Sequence, residues 1–360
     1  MLSIVPYVLT YSIDRWSKFL TQSLSPLISL IKLAINVAYV SLWNRDKTME
    51  GPLFLDALLD LRFPRLKNFA VRGLHLQESA TLHAFFKAHS GLTAVDVRVS
   101  DRVFVRQQGD RPESFDWSGL LETFKERLRD DSVLLPNLQS ASILPDHNFQ
   151  ITAALLIGRR PITRLALDLA KEPDLRRMME SHNTRNPITE LWLYNVQRSL
   201  NLEVVRHLAS CTPAVTHVHV YSNTLAMDLN RDNSGSVTVT YRDDLLNFIK
   251  LWPNLASLEI SFSPSRKKMY QQSNQKHWLV ADTEAFAEFA CASGAANNLR
   301  TVLVHLVYSP ENMPQHWSGS CTATWTRSET GEMQSLETQI ASSTEGVNVL
   351  AQWPKVWTVE

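Results

Sequence analysis

Apolar residues recur along this chain in one short pattern: apolar, two residues, apolar, one residue, apolar. The stretch from Leu251 to Phe262 displays it most plainly. Leu255, Leu258 and Ile260 fall on one side and Ser257, Glu259 and Ser261 on the other, the alternation of a half-buried strand. Nine instances occur: Ile28/Ile31/Leu33, Leu66/Phe69/Val71, Leu92/Val95/Val97, Leu138/Ala141/Ile143, Ile162/Leu165/Leu167, Ile188/Leu191/Leu193, Val215/Val218/Val220, Leu255/Leu258/Ile260 and Leu299/Val302/Val304. Seven have a proline one or two positions upstream, namely Pro26, Pro64, Pro136, Pro161, Pro187, Pro213 and Pro253. Proline lacks an amide donor and disfavours helix in the residue before it, so each separates a helix from a strand.

Helical periodicity fills the intervals. Glu78 to His89 places Leu82, Phe85 and Phe86 on one face, Asn201 to Cys211 does so with Leu202, Val205 and Leu208, and Tyr241 to Trp252 with Leu245, Phe248, Ile249 and Trp252. Further helices are expected over Phe54 to Leu61, Trp117 to Leu128, Phe149 to Gly158, Asp174 to His182 and Thr283 to Cys291. The first strand positions lie 38, 26, 46, 24, 26, 27, 40 and 44 residues apart. A strand–loop–helix unit of about 25 residues cannot bury its own apolar face, so such units must stack.

Composition narrows the function classes. The 360 residues are 44% apolar, enough for a substantial core. Thirty-six basic and 36 acidic residues balance, so no global field favours nucleic acid or an anionic surface. Three widely spaced cysteines, Cys211, Cys291 and Cys321, and the lack of any Asn-x-Ser/Thr sequon point to a reducing interior, cytoplasmic or nuclear. Met1 to Leu9 is mostly apolar and Phe19 to Trp43 has Lys32 as its single charge, but the first basic residue, Arg15, follows the first run, unlike a signal peptide. The second run approaches spanning length, yet Gln22, Ser23, Ser25, Pro26, Ser29 and Lys32 interrupt it. The expected organisation is an N-terminal helical cap over 1–24 with its helix around Ile13 to Leu24, a repeat array over 25–310, and an irregular C-terminal cap over 311–360.

The Pro-x-Leu-x-x-Leu-x-Leu rhythm with intervening helices resembles the irregular leucine-rich-repeat region of F-box proteins, especially the large fungal set, across roughly residues 25 to 310. The resemblance implies an α/β leucine-rich-repeat solenoid, a horseshoe with a parallel concave sheet and helices on the convex side. About half of the intervals fall in the usual range of such repeats, and the longer ones imply insertions. The stricter consensus places Asn or Cys three residues past the strand; Asn36 and Asn223, the latter followed by Leu225, stand there, and most units lack it. The family usually opens on a Leu-Pro-x-Glu type F-box, and nothing in Met1 to Asp60 matches it. Should an F-box lie upstream, the implied partner is the adaptor of a cullin-based ubiquitin ligase.

In that architecture the residues between the buried strand positions line the binding face. Trp192 and Tyr194 beside His217, His219 and Tyr221 form an aromatic cluster suited to anchoring a protein partner. The alternative is that a loop or the C-terminal segment covers them as ordinary core. Arg98, Arg164, Asp168, Glu259 and His305 add mixed charge, which suits a protein or peptide better than a phosphate backbone.

Other constellations fail on chemistry. Asp228 to Gly235 resembles a calcium loop, but its glycine is eighth instead of sixth and Val239 replaces the bidentate Glu. It reads as a polar loop leading into a strand over Ser236 to Thr240. His217 and His219 lack a Cys or carboxylate at zinc-ligand spacing, and phosphate-loop, Gly-x-Ser-x-Gly and His-Glu-x-x-His motifs are absent. Arg266-Lys267-Lys268 reads as a solvated loop. The C-terminal region, with loop-like polarity over Trp325 to Gly346 but Trp317, Trp325, Trp353 and Trp357, is expected to fold back and cover the last edge strand. The leading expectation is a monomeric, non-catalytic, cofactor-free interaction scaffold, with substrate recognition for an F-box type ligase implied by the resemblance. The alternative is a membrane-associated protein anchored by residues 1–43.

Overall fold

A computed structural model describes residues 2–4, 22, 24, 26–36, 61–74, 79–99, 134–144, 160–169, 188–194, 202–222, 227–231, 237–241, 247–262, 275–294, 296–308, 318–328 and 333–342. The chain divides into two compact units, Met1–Thr163 with Glu180–Asn186, and Arg164–Met179 with Pro187–Glu360.

In the first unit, strands β1 (Leu2–Ile4), β2 (Lys32–Asn36), β3 (Asn68–Leu74), β4 (Ala94–Val99) and β5 (Ser140–Leu144) lie side by side in sequence order, each neighbouring pair parallel. Helix α1 (Ser79–Ala88) connects β3 to β4. The second unit runs β6 (Arg164–Asp168), β7 (Glu190–Tyr194), α2 (Leu202–Cys211), β8 (His217–Ser222), β9 (Met227–Arg231), β10 (Val237–Tyr241), β11 (Ser257–Phe262), α3 (Gln275–Ala292), β12 (Thr301–Tyr308), β13 (Ser318–Arg327) and β14 (Met333–Ser342). Its sheet order is β6-β7-β8-β11-β12-β13-β14, parallel as far as β12 and antiparallel beyond, while β9 and β10 pair apart as an antiparallel hairpin. Both units are therefore α/β with a mostly parallel open sheet. No helix among the described residues is long and apolar enough to cross a membrane.

Eight of the nine strand patterns place all three apolar side chains in the core, none more than 4% exposed. Burial of each contributes on the order of 1.5–3 kcal/mol. The first pattern is shifted by two residues: Leu33 is buried as expected, but Ile28 and Ile31 are 63% and 51% exposed and Leu30 and Ile35 complete the buried set. The run from Leu27 to Ile35 satisfies the pattern in more than one phase, and pairing with the next strand selects one. Leu33 lies opposite Phe69 and Ile35 opposite Val71, so the pattern is set two residues later on the same strand face, and Ile31 falls in the turn before β2 begins.

A turn precedes β2, β3, β4, β5, β8, β11 and β12. The amides of Leu30, Leu66, Leu92, Leu138, Val215, Leu255 and Leu299 donate to the carbonyls three residues back, of Leu27, Phe63, His89, Leu135, Thr212, Trp252 and Ala296, over 2.9–3.3 Å. Pro64, Pro136, Pro213 and Pro253 occupy the second position, where their fixed φ suits the turn. Pro161 belongs to a tighter turn in which Ile162 N donates to Arg160 O at 2.8 Å. The prolines thus build the turn as well as ending what precedes it. The turn's first residue is buried in every case but Leu27. One of them, Leu135, has φ +53°, a left-handed conformation that disfavours an L side chain by about 1–2 kcal/mol, and complete burial holds it there.

A second bond pattern fixes the register. The carbonyl of Lys67 accepts from both Thr93 N and Ala94 N, that of Thr93 from Gln139 N and Ser140 N, and those of Ile31, Thr189, Thr216 and Ala256 behave alike. In the second unit Asn254 Nδ2 donates to Pro213 O at 3.2 Å and Asn298 Nδ2 to Pro253 O at 2.9 Å, tying successive turns together.

Several expectations are revised. The helix expected from Tyr241 begins later: Tyr241 ends β10, and helical residues are seen at 247–249. The polar loop expected over Asp228 to Gly235 is strand up to Arg231, pairing with the strand expected after it. Residues 2–4, placed in a helical cap, form β1. The irregular C-terminal segment contains a regular hairpin, β13–β14, in which Trp325 is 1% exposed and β13 covers the free edge of β12. The predicted helices 117–128, 149–158 and 174–182, the Asn36 and Asn223 side chains, and Trp317, Trp353 and Trp357 lie outside the described residues, as do most of the helices at 13–24 and 54–61.

His89 shows how one of these turns stores a pH response. Its Nε2 accepts from Phe63 N at 3.2 Å and its Nδ1 donates to Phe85 O at 2.8 Å, so the ring is neutral with the proton on Nδ1. Burial lowers its pKa below the ordinary 6.5, the Phe85 carbonyl opposing and Arg62 adding to the shift. The unfolded chain then binds the extra proton first. The contribution of neutral His89 is complete above about pH 6.5 and is lost as pH falls from there through the lowered folded pKa. Urea denaturation between pH 7 and pH 5 is expected to show a shallower loss of stability in His89→Gln than in the parent. Parallel slopes would remove His89 as the source.

Candidate interaction face

The parallel register places the expected residues of the second unit in three rows on the sheet face opposite the Leu/Val/Ile core. Arg164, Glu190, His217 and Ser257 form the first; Ala166, Trp192, His219, Glu259 and Leu303 the second; Asp168 and Tyr194, then Tyr221, Ser261 and His305, the third. Aromatic and charged groups 26 to 44 residues apart in sequence thereby become neighbours at strand spacing.

The centre is a stack. The rings of Trp192 and His219 lie 4.2 Å apart at 21°, and those of Tyr194 and Tyr221 lie 5.6 Å apart. Glu190 links the first two rows: one carboxylate oxygen accepts from Trp192 Nε1 at 2.7 Å and the other meets Arg164 Nε at 2.7 Å. On the far side, His219 Nδ1 stands 3.4 Å from Glu259 Oε1 without an aligned hydrogen bond. The five side chains Arg164, Glu190, Trp192, His219 and Glu259 thus form one connected polar–aromatic strip. Sequence reading overlooked Glu190, although its position two residues before Trp192 puts it on the same strand face.

The strip is only partly open. Trp192, Tyr194 and His219 are 5%, 8% and 8% exposed, whereas Tyr221 and His217 are exposed and Glu259 is half-buried. The expected anchors Trp192 and Tyr194 are therefore the floor of the face, and what a partner can reach first is Tyr221, His217 and Glu259. Asp168 is placed beside Tyr194 by register alone. His305 sits on β12 in a different row from His219, and its Nδ1 lies 2.8 Å from Thr322 Oγ1 on β13. His217 Nδ1 likewise has Thr216 Oγ1 at 2.8 Å. The three histidines do not converge.

The first unit departs from the expectation of one continuous open face. Between its core positions, Ala34, Asn68, Ala70, Ala94, Asp96, Ser140 and Ser142 are all buried, so its strands are closed to solvent on both sides. Asp96, 0% exposed, accepts from Ser142 Oγ at 2.9 Å, and Arg98 Nε lies 3.5 Å from the same oxygen. Arg98 is thus engaged with a buried carboxylate beneath it.

Desolvation pushes the Cys291 thiol up, away from the reactive thiolate. No cluster of three His, Cys, Asp or Glu side chains able to hold a metal ion occurs among the described residues. No family model matches the chain, and no curated protein matches it.

Proposed function

We propose that this chain is a non-catalytic protein-interaction scaffold, that its turn–strand modules belong to an irregular leucine-rich-repeat solenoid, and that a protein partner docks on the face floored by Trp192, Tyr194 and His219. The observation that carries the reading is the in-register Trp192–His219 stack, with exposed Tyr221 and His217 beside it and Arg164, Glu190 and Glu259 around it. Rigid aromatics held by neighbouring strands, rimmed by charges of both signs, are the composition of an interface hot spot. The face is short of small-molecule character because its polar groups mostly engage one another. Substrate recognition for an F-box type ubiquitin ligase extends this reading and rests on the family resemblance alone.

Tyr221 and His217 are the residues to remove, since both are exposed and their loss leaves the core intact. Affinity purification of the parent chain is expected to recover reproducible protein partners, and Tyr221→Ala/His217→Ala to lose them, with affinity falling about 30-fold or more for a hot-spot tyrosine. A folded double variant that retains every partner removes this face from consideration. Recovery of a cullin adaptor supports the ligase role; partners without any adaptor leave the scaffold and discard that extension.

A further inference from the structure

A second surface, independent of that face, lies on the first unit at the turn before β2. In the modules that follow, the exposed turn edge carries proline or polar groups: Pro64, Arg65 and Lys67, then Ser90 and Thr93, then Pro136, Asn137 and Gln139. The first module places Ile28 and Ile31 at these positions, 63% and 51% exposed, and Leu27, 36% exposed, where the later turns bury Phe63, His89 and Leu135. The fold does not use Leu27, Ile28 and Ile31, because Leu30, Leu33 and Ile35 are the residues of this module that enter the core. The other large exposed apolar side chains among the described residues, Tyr221, Phe289 and Met333, do not neighbour one another in sequence, whereas these three fall within five residues.

Among the described turn residues, the charge beside them has one sign. Lys67 N donates to Ile31 O at 2.9 Å, which sets Lys67 next to Ile31, and the matching turns set Arg65 next to Ser29. Arg62, Arg65 and Lys67 are all exposed. The turn segments 26–31, 61–67, 89–93 and 134–139 contain these three basic residues and no acidic one. In a chain of zero net charge this is a local basic edge around an apolar tip.

We propose that this edge docks the protein on an anionic lipid surface, with Leu27, Ile28 and Ile31 entering the headgroup–acyl boundary and Arg62, Arg65 and Lys67 facing lipid phosphates and carboxylates. Three side chains fall far short of the roughly 20 residues a side that a stable protein interface buries. They do suffice for reversible attachment when cations add to them, because each basic residue near such a surface and each inserted apolar group contributes separately. The proposal needs no spanning segment and differs from an anchor spread over residues 1–43.

Flotation of the full-length chain with vesicles tests it. The parent is expected to float with phosphatidylcholine vesicles containing phosphatidylserine, to remain behind with phosphatidylcholine alone, and to be released by added salt. Ile28→Ser/Ile31→Ser and Arg65→Glu/Lys67→Glu are each expected to reduce binding at least about tenfold while melting as the parent does, since all four side chains are exposed. Tyr221→Ala should float unchanged, which separates this surface from the interaction face. A parent that ignores anionic vesicles overturns the proposal, as does an Ile28→Ser/Ile31→Ser variant that floats like the parent. A parent that stays off vesicles but sediments as a dimer dispersed by Ile28→Ser/Ile31→Ser assigns the edge to a second copy of the chain and likewise overturns lipid docking.

Discussion

Trp252→Ala is expected to lose about 3–5 kcal/mol of stability, the range for emptying a large buried aromatic site. Three roles meet in this one residue. Its ring is completely buried and stands edge-on to Phe248, with centroids 5.0 Å apart. Its Nε1 donates to Thr212 Oγ1 at 3.3 Å, and that hydroxyl donates in turn to Leu208 O at 2.8 Å, which joins the turn before β11 to the end of α2. Its carbonyl receives Leu255 N and so closes the turn that aims β11. Alanine keeps the carbonyl and removes everything else. Trp252→Phe retains most of the volume and gives up the indole donor, so its loss should stay near 1–2 kcal/mol. Urea denaturation followed by circular dichroism measures both, and a Trp252→Ala loss below about 1.5 kcal/mol would mean that the surroundings collapse into the vacated site.

Phe69→Ala is expected to be nearly as damaging to the first unit, again about 3–5 kcal/mol. Phe69 is 0% exposed on β3, and its ring meets Phe85 at 4.5 Å and Phe86 at 6.3 Å, both on α1. Phe85 continues to His89 at 4.2 Å, and His89 to Phe63 at 5.7 Å. One aromatic cluster therefore fastens strand, helix and turn, with Phe69 as its strand member. Phe69→Leu preserves an apolar side chain and should cost about 1–1.5 kcal/mol. Hydrogen exchange adds the local readout: protection of the α1 amides should fall more in Phe69→Ala than in Phe69→Leu, and equal protection would show that α1 is held by other contacts.

The strand core was legible because its signal is local and repeated. Eight patterns are occupied as read, since alternating apolar side chains leave a parallel strand only one way to face its core. The ninth failed at Leu27 to Ile35, where nearly every residue is apolar and only pairing with β3 decides between phases. The polar stretch beginning at Trp325 reads as a loop because Thr, Ser and Glu fill it, yet β13 alternates small or apolar with polar residues and pairs with β12. The neighbours of the candidate face were partly legible: Trp192 and His219 were placed together by counting from equivalent strand positions. Their burial was not, because period two assigns a side chain to a face and says nothing of what closes that face. Asp96 marks the same boundary, a carboxylate at a nominally outward position that is entirely buried with Ser142 and Arg98.

The paired amides that bind each preceding carbonyl have a bearing on how such a chain tolerates changes in length. Leu66 and Leu92 are 26 residues apart and Leu92 and Leu138 are 46 apart, yet both junctions make the same two bonds and keep the same register. Even for a flexible connection, doubling the intervening segment costs only about 0.6 kcal/mol in closure entropy. Alignment is set inside a stretch of under ten residues and is indifferent to how far the polypeptide travels before the next one. Insertions between modules that spare packed helices such as α1 are thereby cheap, while a single-residue slip within a module would reverse which side chains it buries.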